Sequence, residues 1–402
     1  METSVIVAGG GIGGLAAALA LSRAGVSPTL LEQAEAFGEV GAGLQLGPNA
    51  VRVLADWGLR AALDAVAAYP DELRVRDAGR GRALGGLRLG HAFAERYGRP
   101  YASLHRADLH ALLLQALRSQ TGARLHLGSR LVSVAEQGDT VRLEQADGSA
   151  LETPALIGCD GLWSRVRSAV TGDAPPRPTG HLAYRGLIAA ADLPAPLRAA
   201  RVSVWLGPRL HVVHYPVRRG EAFNLVAVVH GAAEGGPRDA RSWSEPATLA
   251  ELQAALGPVH AELAAWLHAV PAWTRWVLHD REPLAGPQAM ARGRIALLGD
   301  AAHPMRPYLA QGAAMALEDA WTLGRLLQGR ASPDWASHFA RYAALRWARN
   351  ARVQRRSRRN GGIFHAQGPL RWARDAAMVV LGERLLDNAW LYNGPAAPER
   401  AR

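Results

Sequence analysis

The chain has 402 residues, 49% of them hydrophobic, which predicts a globular protein with more than one domain. Its net charge of +11 comes from 46 basic residues, and all of them are arginine, which excludes chemistry that needs a lysine Schiff base. The single cysteine, Cys159, excludes an internal disulfide. With no long apolar stretch and no targeting signal, we expect a cytoplasmic protein without integral membrane contact.

The first predicted element is a short apolar strand over residues 4–8, and it leads directly into a glycine-rich turn. Gly9, Gly11 and Gly14 have the G-x-G-x-x-G spacing, in which missing side chains let a pyrophosphate approach the backbone. A helix follows over residues 15–23, and the N–H groups that open it attract an anion. The pattern predicts a dinucleotide site; a strand, turn and helix without a nucleotide is the alternative.

A second predicted strand, residues 28–31, ends at Glu32. A carboxylate at this position can accept a hydrogen bond from a ribose hydroxyl, and it disfavours a 2′-phosphate on the bound nucleotide.

A third apolar strand, residues 155–158, precedes Asp160 and a helix opened by Arg165 and Arg167. Ligands bind at the carboxyl ends of strands in open α/β sheets, so Asp160 is a candidate nucleotide contact. The alternative is an ordinary Asp-Gly turn.

Alternation along residues 211–217 predicts a strand in the middle of the chain. His211, Val213 and Tyr215 would share one face, and Val212 and His214 the other. A neutral imidazole beside a phenol can take the proton of a bound phenol, which makes His211 a candidate base. A half-buried strand with no chemical role is the alternative. No metal site is predicted, because His211 and His214 would face opposite ways.

The fourth apolar strand, residues 294–298, precedes Gly299 and Asp300. Asp300 can accept hydrogen bonds from a polyol chain. A helix is predicted from Gly312, and the amides of Gly312 and Ala313 would point its positive end at a bound cofactor. His303 is interpreted as a hydrogen-bond donor that stabilises the turn, with a role as base as the alternative.

Arginines crowd the segment from Arg341 to Arg359. The positions that recur at helical spacing, and so predict one basic face, are 346, 349, 352, 356 and 359. We interpret this face as solvated or dimer-facing, which leaves a homodimer open; contact with anionic lipid or nucleic acid is the alternative. Codon usage explains an arginine-rich composition more simply, so no nucleic-acid partner is expected.

The motifs GGGIGG, HRADLH, GCDG and GDAAHP, in this order, resemble those of the FAD-dependent aromatic hydroxylases related to para-hydroxybenzoate hydroxylase. The resemblance implies bound FAD and NADH as co-substrate, with NADPH as the alternative. The positions it implies for FAD are Gly9, Gly11, Gly14, Leu15, Glu32, Gln33, Arg106, Asp160, Gly299, Asp300, Gly312 and Ala313.

Segments outside these motifs, including residues 207–226 and 361–368, resemble the branch of the family that acts on 3-hydroxybenzoate. The resemblance implies hydroxylation of 3-hydroxybenzoate to gentisate with dioxygen, through a flavin hydroperoxide. His211 would be the base and Tyr215 its companion. The substrate contacts would be Gln45, Arg306 and Tyr308.

One departure from the family leaves the reaction open. Pro307 stands where that branch has a glutamine, and proline has no side-chain hydrogen-bonding group. The alternatives are hydroxylation of salicylate or 6-hydroxynicotinate, or hydroxylation or epoxidation of another substrate. A basic binding protein with a vestigial flavin fold is the alternative that is not an enzyme.

The predicted fold class is α/β: a Rossmann-like FAD-binding domain with a parallel sheet, an inserted substrate domain of the α+β type with a mostly antiparallel sheet, and C-terminal helices. The predicted FAD domain is discontinuous, over residues 1–75, 100–178 and 285–345. The predicted substrate domain covers 76–99 and 179–284, with strands at 202–206, 211–217 and 223–230. The C-terminal helical segment is predicted at 346–402, ending in a Pro-Ala tail.

Overall fold

The structure is a computed structural model that describes residues 5–38, 43–231, 244–329 and 333–395; the predicted Pro-Ala tail, 396–402, lies outside the described residues. The strands are β1 (Val5–Ala8), β2 (Pro28–Leu31), β3 (Gly43–Leu46), β4 (Glu72–Asp77), β5 (Ala83–Arg88), β6 (Ala102–His105), β7 (Arg124–His126), β8 (Leu131–Gln137), β9 (Thr140–Gln145), β10 (Ala150–Thr153), β11 (Leu156–Gly158), β12 (Arg177–Ala189), β13 (Arg201–Gly207), β14 (Leu210–Val217), β15 (Ala222–His230), β16 (Glu245–Ala247), β17 (Trp273–Asp280), β18 (Ala291–Arg292) and β19 (Ile295–Leu297).

The helices alternate with these strands in the first third of the chain and gather at its end. They are α1 (Ile12–Arg23), α2 (Pro48–Asp56), α3 (Arg60–Asp64), α4 (His91–Tyr97), α5 (Arg106–Arg118), α6 (Arg165–Thr171), α7 (Leu249–Leu256), α8 (Ala261–His268), α9 (Pro287–Met290), α10 (Gly312–Leu327), α11 (Trp335–Phe364), α12 (Gly368–Leu381), α13 (Glu383–Leu386) and α14 (Ala389–Tyr392).

A six-stranded sheet in the order β18-β19-β11-β1-β2-β7 forms the core of the first unit. All its pairs are parallel except β18 with β19. Every residue of β1 is buried, as expected for a central strand covered on both faces. The carboxyl ends of β1, β2, β11 and β19 share one edge, so the turns that follow these strands lie together.

An eight-stranded sheet in the order β16-β17-β12-β15-β14-β13-β4-β5 forms the second unit. Its pairs are antiparallel except β4 with β13. The predicted alternation on β14 is confirmed. His214 stacks on Trp266 of α8 with ring centroids 3.9 Å apart, whereas His211 and Val213 line a cavity on the opposite face. The predicted α/β fold class, with one parallel and one mostly antiparallel sheet, is confirmed as well.

Two predicted domain boundaries fall inside single elements. Residue 75 lies within β4, which pairs with β13 of the eight-stranded sheet. The boundary at 345/346 lies within α11, a helix of 30 residues that continues past it because neither proline nor glycine interrupts it before Gly361. Despite this length, α11 is too polar to cross a membrane, and no other helix of the described segments is long and apolar enough to do so.

The predicted solvated basic face is wrong for its first two members. Arg346 is fully buried, donates to Asp319 (Nε to Oδ1, 2.7 Å) and forms an ion pair with Glu318 (Nη1 to Oε2, 2.8 Å). Arg349 donates to Glu318 as well (Nε to Oε2, 2.7 Å). The physical reason lies in α10, which carries two adjacent buried carboxylates that need countercharges.

Candidate active site

The glycine turn after β1 is shaped for close approach by a ligand. Gly9 has φ +104°, and a side chain on Gly14 would begin 1.8 Å from the Gly9 carbonyl oxygen. A side chain on Gly11 would meet no protein atom within 4 Å. Leu15 is one of the residues predicted to bind FAD, but its backbone N–H donates to the Gly11 carbonyl oxygen at 3.0 Å and is not free for a ligand. The amide of Ile12, at the start of α1, donates to no acceptor within the described ranges.

The Glu32 carboxylate is fixed beside this turn. Its Oε2 accepts from the Gly10 N–H at 2.6 Å, and its Oε1 accepts from the Ala34 N–H at 2.8 Å. The neighbouring Gln33 is exposed. A ring nitrogen of His110, on α5, lies 2.8 Å from the Gly10 carbonyl oxygen, so the HRADLH motif is attached to the turn.

Asp160 caps α6 with both carboxylate oxygens. Oδ1 accepts from the Ser164 hydroxyl at 2.5 Å, and Oδ2 accepts from the N–H groups of Arg165 and Val166 at 2.7 and 3.1 Å. Burial raises the pKa of Asp160, and these hydrogen bonds lower it in part. The observed contacts of Asp160 are therefore those of a helix cap at the ligand edge of the sheet.

The third motif lies opposite the first. Gly299 has φ +62°, and a side chain there would lie 4.0 Å from the Cα of Gly13. Burial raises the pKa of Asp300, and the charges of His303 and Arg106 lower it, so both groups lie near its carboxylate. Gly312 is the first residue of α10, and Ala313 is the second. A Cβ added to Gly312 would lie 3.8 Å from Oδ1 of Asp300.

These features fit a dinucleotide cofactor of the FAD type. Four features meet at one edge of the parallel sheet: the open space in front of Gly11, the free N–H group that opens α1, and the carboxylates of Glu32 and Asp300. The predicted FAD residues are thus brought to one region, with Leu15 satisfied inside the helix and Gln33 exposed.

Substitutions in the glycine turn test this fit. We expect Gly11→Ala to fold but to lose bound FAD, because its methyl group would occupy space that no protein atom fills. The control is Gly14→Ala, which should fail to fold because the new Cβ overlaps the Gly9 carbonyl. Circular dichroism and the flavin absorbance of the purified variants separate the two results. A Gly11→Ala protein that keeps a full complement of FAD would contradict this assignment.

A cavity of about 410 Å³ lies between the eight-stranded sheet and the C-terminal helices. The loop from Pro307 to Ala310, which connects the Asp300 turn to α10, forms one wall. Three predicted residues line the cavity: His211, Tyr308 and Gln45. Most of the remaining lining is aliphatic or aromatic, which is typical of sites for small apolar ligands.

His211 is a buried, neutral imidazole in this cavity. Its Nδ1 lies 2.8 Å from Nε2 of His365, the residue that ends α11. Burial lowers the pKa of His211 to about 3, and the charge of His181 contributes. The Tyr308 ring centroid lies 5.2 Å away. Because His211 is neutral near pH 7, one of its ring nitrogens is free to accept a proton.

Tyr215 does not line the cavity but supports its wall. Burial raises its pKa, and hydrogen bonds with Gln45 and Asn224 lower it in part. Gln45 also accepts from the Tyr101 hydroxyl at 2.7 Å. Tyr215 thus shares a strand face with His211, as predicted, but reaches the cavity only through Gln45.

Arg306 also lies outside the lining of this cavity. Its Nε donates to Asp280 (Oδ2, 2.8 Å), and its side chain borders a separate recess that Asp300 also lines. The expected contact between Arg306 and the substrate therefore has no counterpart in the 410 Å³ cavity.

Three histidines meet behind Tyr308, and the sequence did not single them out. The Tyr308 hydroxyl lies 2.7 Å from Nδ1 of His181, and His181 Nε2 lies 2.8 Å from Nε2 of His230. One ring nitrogen each of His181, His230 and His365 lies within 4.8 Å of the others, a spacing that could hold a metal ion. Burial lowers the pKa of all three. The positive charge of a nearby arginine lowers each pKa further: Arg306 acts on His181, Arg209 on His230 and Arg374 on His365. The same positive charges disfavour a bound cation.

Three comparisons agree with this geometry. A family model of the FAD binding domain matches residues 2–357. A 3-hydroxybenzoate 6-hydroxylase of Polaromonas naphthalenivorans (strain CJ2) is 40% identical over 400 residues, 97% of this chain and 96% of that protein. A 6-hydroxynicotinate 3-monooxygenase of Bordetella bronchiseptica is 37% identical over 91% of this chain and 93% of its own. A salicylate hydroxylase substrate complex superposes with a TM-score of 0.81 at 28% identity, over 99% of both chains.

These relatives are matched along nearly their whole length. The chain belongs to the FAD-binding-domain family and is an FAD-dependent aromatic-ring monooxygenase.

Proposed function

We propose that the chain hydroxylates a phenolic aromatic acid, with 3-hydroxybenzoate as substrate and gentisate as product. The observation that carries the proposal is His211, a neutral imidazole buried in an apolar cavity beside the loop that connects Asp300 to α10. When bound, FAD supplies a group that a nicotinamide nucleotide can reduce and that can then activate dioxygen. We propose NADH as that nucleotide and the cytoplasm as the location.

The role of His211 follows from its surroundings. A ring nitrogen takes the proton of the substrate hydroxyl while Nδ1 faces His365, which fixes the orientation of the ring. The negative oxygen formed beside the ring raises the pKa of His211 in the complex above its value in the free protein, which lets the imidazole hold the proton. The ionised oxygen raises the electron density of the ring, most of all at the ortho and para carbons. In 3-hydroxybenzoate the carbon para to the hydroxyl is the one that gives gentisate. One oxygen atom of dioxygen enters there, and the other leaves as water with the two electrons of NADH.

The walls of the cavity hold the ring and exclude water. Val75, Val204 and Val213 present apolar side chains from three adjacent strands, in register across the sheet. Gln45 and Tyr308 are buried and place polar groups in the cavity wall, where they hydrogen-bond the hydroxyl or the ring substituent. Water exclusion matters because solvent would divert reducing equivalents to hydrogen peroxide.

Pro307 supports a second candidate substrate. Pro307 lines the cavity but has no side-chain hydrogen-bonding group that would fix the substrate. The aromatic ring of the substrate can therefore bind in another orientation against Tyr308. Salicylate and 6-hydroxynicotinate, substrates named for two of the similar proteins, are the acids to compare with 3-hydroxybenzoate.

The test is oxygen-coupled NADH oxidation by the FAD-loaded protein with 3-hydroxybenzoate, salicylate and 6-hydroxynicotinate in parallel. We expect 3-hydroxybenzoate to stimulate NADH oxidation most and to yield gentisate carrying one atom of ¹⁸O from labelled dioxygen. Product mass and chromatography identify the ring position. Stimulation by none of the acids, or peroxide as the only product, would overturn the proposal.

A further inference from the structure

Arg356 is a cation in the wall of the cavity that forms no ion pair with the residues the structure describes. It lies on α11 together with Asn360 and Ile363, which line the same wall at helical spacing. Its Nε is buried and has no hydrogen-bond partner. No carboxylate among the described residues forms an ion pair with it.

The other arginines along this part of α11 are accounted for. Arg349 pairs with Glu318, and Arg358 pairs with Asp280 at 3.1 Å and also with Glu282. Arg352 lies over the Trp390 ring, 4.0 Å from its centroid. Arg355 and Arg359 are exposed. Arg356 differs from all of these, because it is only partly exposed and still lacks a countercharge.

The cavity offers no anion to Arg356 from the protein. Among the described residues, the lining contains one other arginine, Arg374, and no aspartate or glutamate. The Arg374 guanidinium is already used, by Asp375 at 2.8 Å and by the backbone carbonyls of Ile363 and Phe364 at 3.2 and 2.7 Å. An arginine stays charged at all ordinary pH values, so an unpaired one beside an apolar cavity favours an anionic ligand.

We propose that Arg356 binds the carboxylate of the substrate, an assignment that rests on the proposed function. His211 stands on the sheet and Arg356 on the helix that covers it, so the two groups hold the substrate hydroxyl and carboxylate from different walls. Arginine suits this role because its planar guanidinium can donate two parallel hydrogen bonds to a carboxylate. Arg356 thereby selects aromatic acids over neutral phenols.

The test compares an acid with a neutral analogue of nearly the same size. Binding of 3-hydroxybenzoate and 3-hydroxybenzamide to the FAD-loaded protein is measured by the change in flavin absorbance, without turnover. In the wild-type protein the acid should bind about 100-fold more tightly than the amide. In Arg356→Met that ratio should fall to about 1, because the acid loses affinity and the amide does not. Arg356→Lys should restore part of the ratio.

The matched control is Arg355→Met, which removes the neighbouring exposed arginine and should leave both affinities unchanged. An Arg356→Met protein that keeps the wild-type ratio, or that weakens acid and amide equally, overturns the proposal while gentisate formation by the wild-type enzyme still stands. If Arg356→Met does not fold, the ratio of acid to amide affinity in the wild-type protein is the deciding measurement. Equal binding of the acid and the amide by the wild-type protein would also overturn the proposal. A wild-type protein that forms no gentisate from 3-hydroxybenzoate refutes the proposed function instead.

Discussion

His211→Gln is expected to lower the rate of hydroxylation by about 10²- to 10⁴-fold with FAD still bound. Glutamine fills similar space and can accept a hydrogen bond from the substrate hydroxyl, but it cannot take the proton. The substrate should therefore still bind and still stimulate NADH oxidation. More of that oxidation should end in hydrogen peroxide, so both gentisate and peroxide are measured against NADH consumed.

His214→Gln is the matched control, because it makes the same change three residues along β14 on the opposite face. On that face, Nε2 of His214 accepts a hydrogen bond from the Trp205 indole N–H at 3.1 Å, and a glutamine side chain can accept the same hydrogen bond. We expect lower stability but hydroxylation within about threefold of wild type, since substitutions away from reacting groups act mainly on folding. Equal rate losses in the two variants would remove His211 from the chemistry.

The pH dependence of the reaction provides a second check on His211. Its pKa lies near 3, far below the usual value, so protonation of His211 begins only as the pH falls toward 3. The base form is present throughout pH 5–9. We expect kcat/KM for hydroxylation, which reports on the free enzyme, to show no acid limb near pH 6.5, the position an ordinary histidine would give.

Much of the fold could be predicted from local pattern. Apolar runs followed by glycine or an acidic residue predicted β1, β2, β11 and β19, because a parallel strand buried on both faces leaves a run of apolar residues followed by a turn. Alternation placed His211 and His214 on opposite faces, since side chains of a strand alternate regardless of what packs on them.

The remaining parts of the site depend on contacts between distant segments, which leave no local pattern. His365 reaches His211 from the end of α11, and a lone histidine in a polar segment carries no signal of its partner. Arg346 and Arg356 both read as members of one solvated face. One is buried because α10 supplies two carboxylates, and the other faces a cavity formed by a sheet far away in sequence.

Arg346→Met is expected to destabilise the protein by about 3–5 kcal/mol, because it leaves the buried carboxylate of Glu318 without its main countercharge and that of Asp319 with His303 alone. Burial alone would raise the pKa of Glu318, yet Arg346 and Arg349 hold it below its usual value. Asp319 also contacts a ring nitrogen of His303 at 2.5 Å, so the ion cluster reaches the turn that carries Asp300. Loss of FAD should therefore accompany the loss of stability.

Urea unfolding of the FAD-loaded protein measures this effect, with Arg355→Met as an exposed control that should change stability by less than about 0.5 kcal/mol. The sign of the pH dependence adds a separate test. Without Arg346 the folded-state pKa values of Glu318 and Asp319 are higher than in the wild-type protein, because a cation that lowers both is missing, so the folded variant binds protons more readily than the folded wild-type protein. Its deficit relative to wild type should then shrink as the pH falls. A deficit below about 1 kcal/mol at pH 8 would mean that Arg349, His303 and Asn350 compensate these carboxylates without Arg346.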